Sequence, residues 1–180
     1  MNKTWTIYPT APVDFQETTE VPGIIAQLLF NREITTYSQV AEFLNSSSNI
    51  YHDPMLLPGM AKAINRIEEA LISKDPIGVF GDFDVDGVTA TAIIFDGLGK
   101  LGIEIIPYIP DRITEGHGLN YDAIQSLSKS GAKLIITVDC GITSHEEVNM
   151  ASKLGIDVII TDHHVPPTSL PNAMAIVDPK

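Results

Sequence analysis

The sequence predicts an α/β fold: a parallel sheet of about five strands flanked by helices, with a small, mostly helical N-terminal appendage. Three observations carry that reading. Apolar runs of strand length stand at 77–81, 104–109, 134–138, 157–161 and 174–177. Helical patterns at about 88–101, 120–129 and 144–154 lie between them, with short connections, which requires parallel strands joined by right-handed crossovers. The runs are nearly continuous in apolar residues rather than alternating, as expected of strands covered on both faces.

Taken in order, residues 1 to about 20 are rich in Pro, Thr and acids and are expected to wrap the surface. Ile24 to Phe30 and Ser38 to Leu44 read as short helices, the second started by Thr36 or Ser38 as a cap. Asn45 to Asn49 reads as a loop. Met60, Ile64, Ile67 and Leu71 recur at helical spacing after Pro58-Gly59, and this helix should pack on the elements C-terminal to it. The expected division is an appendage over 1–58 and a main domain over 59–180.

A chain of 180 residues, 44% hydrophobic and 19% charged, has the makeup of a globular domain with a sizeable core. No apolar run approaches the roughly 20 residues that span a membrane, and Met1-Asn2-Lys3-Thr4-Trp5 lacks the charged-then-apolar pattern expected of a secretory leader. A single cysteine, Cys140, excludes an internal disulfide and suits the cytoplasm. The net charge of −12 disfavours an extensive polyanion-binding surface within this chain. Seven of the 23 acidic residues, however, end apolar runs: Asp82, Asp84, Asp86, Asp111, Asp139, Asp162 and Asp178. Cations bound among them would leave a far less negative field for a phosphate.

Asp82-Phe83-Asp84-Val85-Asp86-Gly87, directly after the first run, is the most informative segment. In extended backbone Asp82, Asp84 and Asp86 would share one face about 6.5 Å apart, with Phe83 and Val85 turned into the core. One such Asp would be a turn former or helix cap. Three in alternation repel one another and suit a hard divalent cation. An EF-hand loop also begins D-x-D-x-D-G, but its twelfth position is here Ile93 and it should follow a helix, not a β-branched run.

Each of the five runs leads into an acid, the second through Pro110 to Asp111, and in a parallel sheet all those ends lie along the edge where open α/β folds bind ligands. Asp162-His163-His164 adds two imidazoles; neighbouring side chains diverge, so one ring would ligate a metal, the other would face a substrate, and Asp162 would orient a ring from behind. Mixed carboxylate and imidazole donors suit Mn²⁺ better than Mg²⁺ and supply too few thiolates for structural zinc. Arg112, alone among Lys and Arg between Lys100 and Lys129, offers a fork for phosphate, against the plainer reading of a surface salt bridge with Asp111 or Glu115. Gly116 and Gly118 around His117 would bring backbone close to a ligand.

Together these motifs resemble the DHH phosphoesterase family: Gly81 to Ala90, Ile109 to Arg112, Glu115 to Asn120, Val138 to Gly141 and Asp162-His163-His164, supported upstream by His52-Asp53-Pro54, Leu56-Leu57-Pro58 and Arg66-Ile67. The wording is nearest to the family's bacterial single-strand-specific 5′→3′ exonucleases. The resemblance implies Asp84, Asp86, Asp139 and His163 as ligands of two Mn²⁺ or Mg²⁺ ions, Asp139 bridging. Asp82 would stand where relatives place a further ligand, and His164 and Arg112 would contact the scissile phosphate, with Gly116, His117 and Gly118 in the substrate loop. It also implies single-stranded DNA with a 5′ end as substrate, in repair and recombination. A single-strand-binding protein and a helicase would be reached through a longer whole protein, which would supply a last metal-binding Asp. The alternatives are a small-oligonucleotide or cyclic-dinucleotide phosphodiesterase of the same family and a non-catalytic module of a replication complex.

Overall fold

The computed structural model describes residues 4–45 and 52–180. The chain divides into two compact units, Met1–Tyr51 and His52–Lys180.

The first unit holds α1 (Val13–Thr19), α2 (Gly23–Phe30) and α3 (Tyr37–Leu44). The first of these corrects the expectation that residues 1–20 merely wrap the surface. Phe15 and Thr19, four apart, give the segment one buried side, and the Phe15 ring packs 5.8 Å from that of Phe30. Thr36, not Ser38, starts α3 through a reciprocal cap with Gln39. Of the expected loop, residues 46–49 lie outside the described residues.

The second unit contains α4 (Met60–Ser73), β1 (Ile77–Gly81), α5 (Val85–Gly99), β2 (Ile105–Tyr108), α6 (Tyr121–Lys129), β3 (Leu134–Val138), α7 (His145–Lys153), β4 (Asp157–Thr161) and β5 (Ala175–Val177). All strands pair in parallel in the order β2-β1-β3-β4-β5. Alternate residues sort to opposite faces. Ile77, Val79, Leu134, Ile136, Val138 and Ile159 pack with α4 and α5, while Phe80, Ile135, Val158 and Ile160 pack with α6 and α7. Both faces are therefore covered, which explains the unbroken apolar runs.

The side of α4 that faces the sheet carries part of the expected stripe, Met60 and Ile67 being partly buried against the core there. Ala63, Arg66 and Ala70 are its buried residues, and Leu71 is exposed. Small alanines let the helix approach, and buried Arg66 reaches Asp157, at the start of β4, at 2.7 Å.

The topology makes one crevice special. From β1 the chain steps outward to β2, then returns past β1 to β3, so the order reverses between the ends of β1 and β3, the place where such sheets accept ligands. Register aligns the acids there: Gly81 pairs with Val138, Val138 with Thr161, and Thr161 with Val177. Asp82, Asp139, Asp162 and Asp178 thus leave the sheet in one row. Asp111 does not join them, because β2 ends at Tyr108 opposite Phe80 and Asp111 lies a residue beyond the row.

Candidate metal centre

The acidic segment after β1 is not the extended ladder that alternation suggests. Asp84 caps α5, its Oδ1 accepting from the amides of Asp86 and Gly87, both at 3.0 Å. Helix therefore begins at Val85, Asp86 sits in its first turn, and Val85 is 76% exposed instead of entering the core. The physical reason is the cap itself: an Asp side chain satisfies two otherwise orphaned donors and bends the chain one turn early. Gly87 makes the bend possible. A Cβ there would run into the backbone N and O of Asp82 and lie 2.7 Å from its carbonyl carbon.

Asp82 remains buried at the strand end. Its Oδ1 accepts from the Phe83 amide at 2.6 Å, and its Oδ2 meets His117 Nδ1 at 2.8 Å. Across the crevice, Asp139 adopts a left-handed backbone at φ 61°, an uncommon conformation for a residue with a side chain. Its carboxylate is 2.8 Å from His163 Nε2 and lies close enough to Asp84 for the two charges to repel. Burial, with Asp84 adding, pushes the Asp139 carboxyl above the usual range. The Gly87 amide leads the interactions that hold Asp84 below it. Two neighbouring carboxylates are thus shifted in opposite directions. Next to them, burial drives the Cys140 thiol far up its range, which makes it a packing residue and not a nucleophile.

Asp162 organises the double histidine. Burial alone would raise its carboxyl, but donors from Ile142, His163 and His164 outweigh that and hold it low. Oδ1 accepts from the amides of His163 and His164 at 2.7 and 3.1 Å and meets His164 Nδ1 at 2.7 Å, while Oδ2 accepts from the Ile142 amide at 2.9 Å. This curls the backbone, so the two rings do not diverge as alternate side chains would; their centroids lie 4.6 Å apart. Hydrogen bonding to Asp162 also raises the His164 imidazole.

The loop after β2 sorts its polar residues differently from the sequence reading. Asp111 is a turn former, its Oδ1 accepting from Ile113 and Thr114 amides and the Thr114 hydroxyl. Glu115 accepts from the Asp111 amide, the Tyr108 hydroxyl and Asn120 Nδ2. Both carboxylates are engaged within the loop, and the Arg112 guanidinium lies over the Phe83 ring, 5.3 Å from its centroid. His117 packs on the same ring at 4.1 Å. Gly116 and Gly118 take φ of 77° and 83°, and Gly118 lines a cleft with Asp82, His117, Asp139, Asp162 and His164.

A chain built this way can be placed among known proteins. The family model described as DHH family, N-terminal domain matches residues 76–180, more than half of the chain. This chain belongs to the DHH family. The DHH chain is 42% identical over 164 residues to the single-stranded-DNA-specific exonuclease RecJ of Bacillus subtilis (strain 168), covering 91% of this chain and 21% of that protein. It is 37% identical over 167 residues to the RecJ of Escherichia coli (strain K12), covering 92% and 29%. A crystal structure of exonuclease RecJ bound to manganese superposes with a TM-score of 0.66 at 39% identity, over 72% of this chain and 33% of that one. RecJ from Thermus thermophilus in complex with Mn²⁺ gives 0.64 at 30% identity, over 92% and 22%. The chain therefore spans between a fifth and a third of these relatives.

Within the DHH domain, two clefts share Asp139 and Asp162. One, of about 350 Å³, is lined by Asp82, His117, Gly118, Cys140, Asp162 and His164 besides Asp139; the other, of about 400 Å³, by Asp86, Asp139, His163 and Leu57 among others. Asp139, His163 and His164 offer ligand atoms all within 4.8 Å of one another. The donor set fits a divalent ion: oxygen and nitrogen donors only, converging from separate strand ends, with two neighbouring carboxylates whose repulsion a cation would relieve. Glu115, Phe83 and the Ile142 amide were not anticipated. The partners of Phe83 and Ile142 are distant in sequence, whereas those of Glu115 lie within seven residues of it, in and beside the Pro110 to Asn120 wording that hinted the loop mattered.

Proposed function

We propose that this chain is the nuclease portion of a metal-dependent, single-strand-specific 5′→3′ exonuclease of RecJ type. The observation that carries the reading is convergence: three strand ends and one helix cap bring Asp84, Asp86, Asp139 and His163 to the crevice where the sheet order reverses. Relatives sharing 37–42% identity are single-stranded-DNA-specific exonucleases, and two similar structures were solved with manganese. In this reading residues 59–180 hold the catalytic centre and residues 1–58 form an appendage.

Asp84, Asp86, Asp139 and His163 would hold two Mn²⁺ or Mg²⁺ ions, with Asp139 at the junction of the two clefts. When bound, such ions supply an activated water and neutralise charge on the phosphate. The remaining work belongs to the chain. Asp162 fixes the His164 ring and favours its protonated form, so that it presents a donor to the phosphate. Arg112 offers its fork from the loop. Asp82 anchors His117 at the rim of the same cleft. Among the described residues no helix is long and apolar enough to cross a membrane. A cytoplasmic protein acting on 5′-ended single strands, with a single-strand-binding protein and a helicase as partners of the whole enzyme, completes the proposal.

The deciding experiment supplies Mn²⁺ with 5′-labelled and 3′-labelled single-stranded DNA and, separately, with a cyclic dinucleotide. Mononucleotides released from the 5′ end support the reading. Preferential opening of the cyclic dinucleotide would replace it with the small-nucleotide phosphodiesterase alternative.

A further inference from the structure

Two exposed side chains are held in place although burial does not require it. The His117 side chain is 69% exposed, yet its Nδ1 is bound to Asp82 and its ring packs on Phe83. Arg112 is exposed, yet its guanidinium rests over that same Phe83 ring. Long exposed side chains ordinarily keep their rotamer freedom. Here two groups from one loop converge on a single aromatic residue placed between Asp82 and Asp84 in the chain.

We propose that Phe83 is a positioning residue for substrate: its ring registers Arg112 and His117, as one unit, against the carboxylates of the crevice. The proposal rests on the nuclease reading above and names the part of that site that grips the strand's phosphate. The chemistry suits the task. An aromatic face attracts a guanidinium through its quadrupole and leaves the N–H edges of the fork free for a phosphate. His117 has Nδ1 committed to Asp82, so Nε2 is the nitrogen left for a ligand. Glu115 braces the loop from behind through Tyr108 and Asn120, whose Oδ1 is already committed to capping α6. The loop is thus fixed at its base by Glu115 and at its tip by Phe83. A leucine at 83 would fill similar space but present no face.

The test compares wild type, Phe83→Leu, Phe83→Tyr, Arg112→Ala and the Phe83→Leu/Arg112→Ala double variant in this chain. The readouts are Mn²⁺ affinity by calorimetry, affinity for a 5′-phosphorylated oligothymidylate, and NMR shifts of the Arg112 and His117 side chains. Phe83→Leu should weaken oligonucleotide binding about tenfold, leave Mn²⁺ affinity within about twofold, and abolish ring-current shifts at both residues. Phe83→Tyr should keep all three readouts at wild-type values. In the Arg112→Ala background the Phe83→Leu loss should shrink, since the two act through one contact. Unchanged oligonucleotide affinity in Phe83→Leu, or a parallel fall in Mn²⁺ affinity, overturns the proposal. If the leucine variant does not fold, absence of ring-current shifts at Arg112 in the wild type overturns it equally. A wild-type chain that carries the shifts but binds no single strand overturns the nuclease reading, and the proposal with it.

Discussion

Gly87→Ala separates two opposing forces at the corner of the site. In a helix, alanine is favoured over glycine by up to about 1 kcal/mol, so propensity alone expects stabilisation. The structure expects the reverse. The new methyl would collide with the backbone N and O of Asp82 and lie 2.7 Å from its carbonyl carbon. These are main-chain atoms at the end of a central strand and cannot rotate aside. Overpacking of this kind costs about 1–3 kcal/mol, and the immobile neighbours place it at the upper end. Gly97, on the same helix, is the internal control, because a Cβ there meets nothing within 4 Å. Gly97→Ala should gain up to about 1 kcal/mol, so propensity cancels in the comparison and the two variants should differ by the clash, about 1–3 kcal/mol. Urea unfolding followed by circular dichroism, with amide exchange of Ile77 to Gly81, measures it. Asp84 caps through the Gly87 amide, so Mn²⁺ affinity should fall in Gly87→Ala and hold in Gly97→Ala. A Gly87→Ala protein as stable as Gly97→Ala would refute the close approach of α5 to the strand end.

Other perturbations probe separate parts of the centre. Asp139→Asn should abolish Mn²⁺ binding by calorimetry; unchanged affinity removes Asp139 from the site. Arg112→Ala should slow cleavage of single-stranded DNA while metal affinity stays intact, and wild-type rates would reject its role. Asp162→Asn should cost about 1–3 kcal/mol, since the Ile142 amide and both histidine amides lose their shared carboxylate. The Asp162 carboxyl is held below its ordinary value of 3.8, so its stabilisation is complete above that pH and disappears as pH falls through the lower folded value. His164, raised above 6.5, behaves oppositely: its contribution is present below 6.5 and is lost as pH rises through the folded value. In the metal-free protein, unfolding midpoints against pH should therefore flatten at both ends in Asp162→Asn. Cys140→Ala should retain cleavage, because a buried thiol with so high a pKa takes no part in the chemistry.

The parts of this protein that could be read from its sequence are those set by burial. β1, β3 and β4 occupy the expected residues because strands covered on both faces are mostly apolar, and each gives way to an Asp where the cover ends. That same boundary marks Asp82, Asp139 and Asp162 as a row without any knowledge of register. What escaped depends on where side chains reach. Alternation in Asp82 to Asp86 suggested extended backbone, but the Asp84 cap wound the chain into helix and turned Val85 outward. The divergence expected of His163 and His164 was undone by three donors converging on Asp162. The stack of Arg112 and His117 on Phe83 joins residues about 30 positions apart, and no local pattern encodes it. The helix at Val13 was hidden by threonines and acids that gave little apolar signal beyond Phe15.

Anomalous scattering from a crystal soaked in Mn²⁺ would test the account most directly. Density is expected in the gap between the β1 and β3 termini, with ions about 2.0–2.6 Å from oxygens of Asp84 and Asp139 and in contact with the His163 imidazole. Manganese found only elsewhere on the molecule, with those three side chains facing solvent, would contradict it.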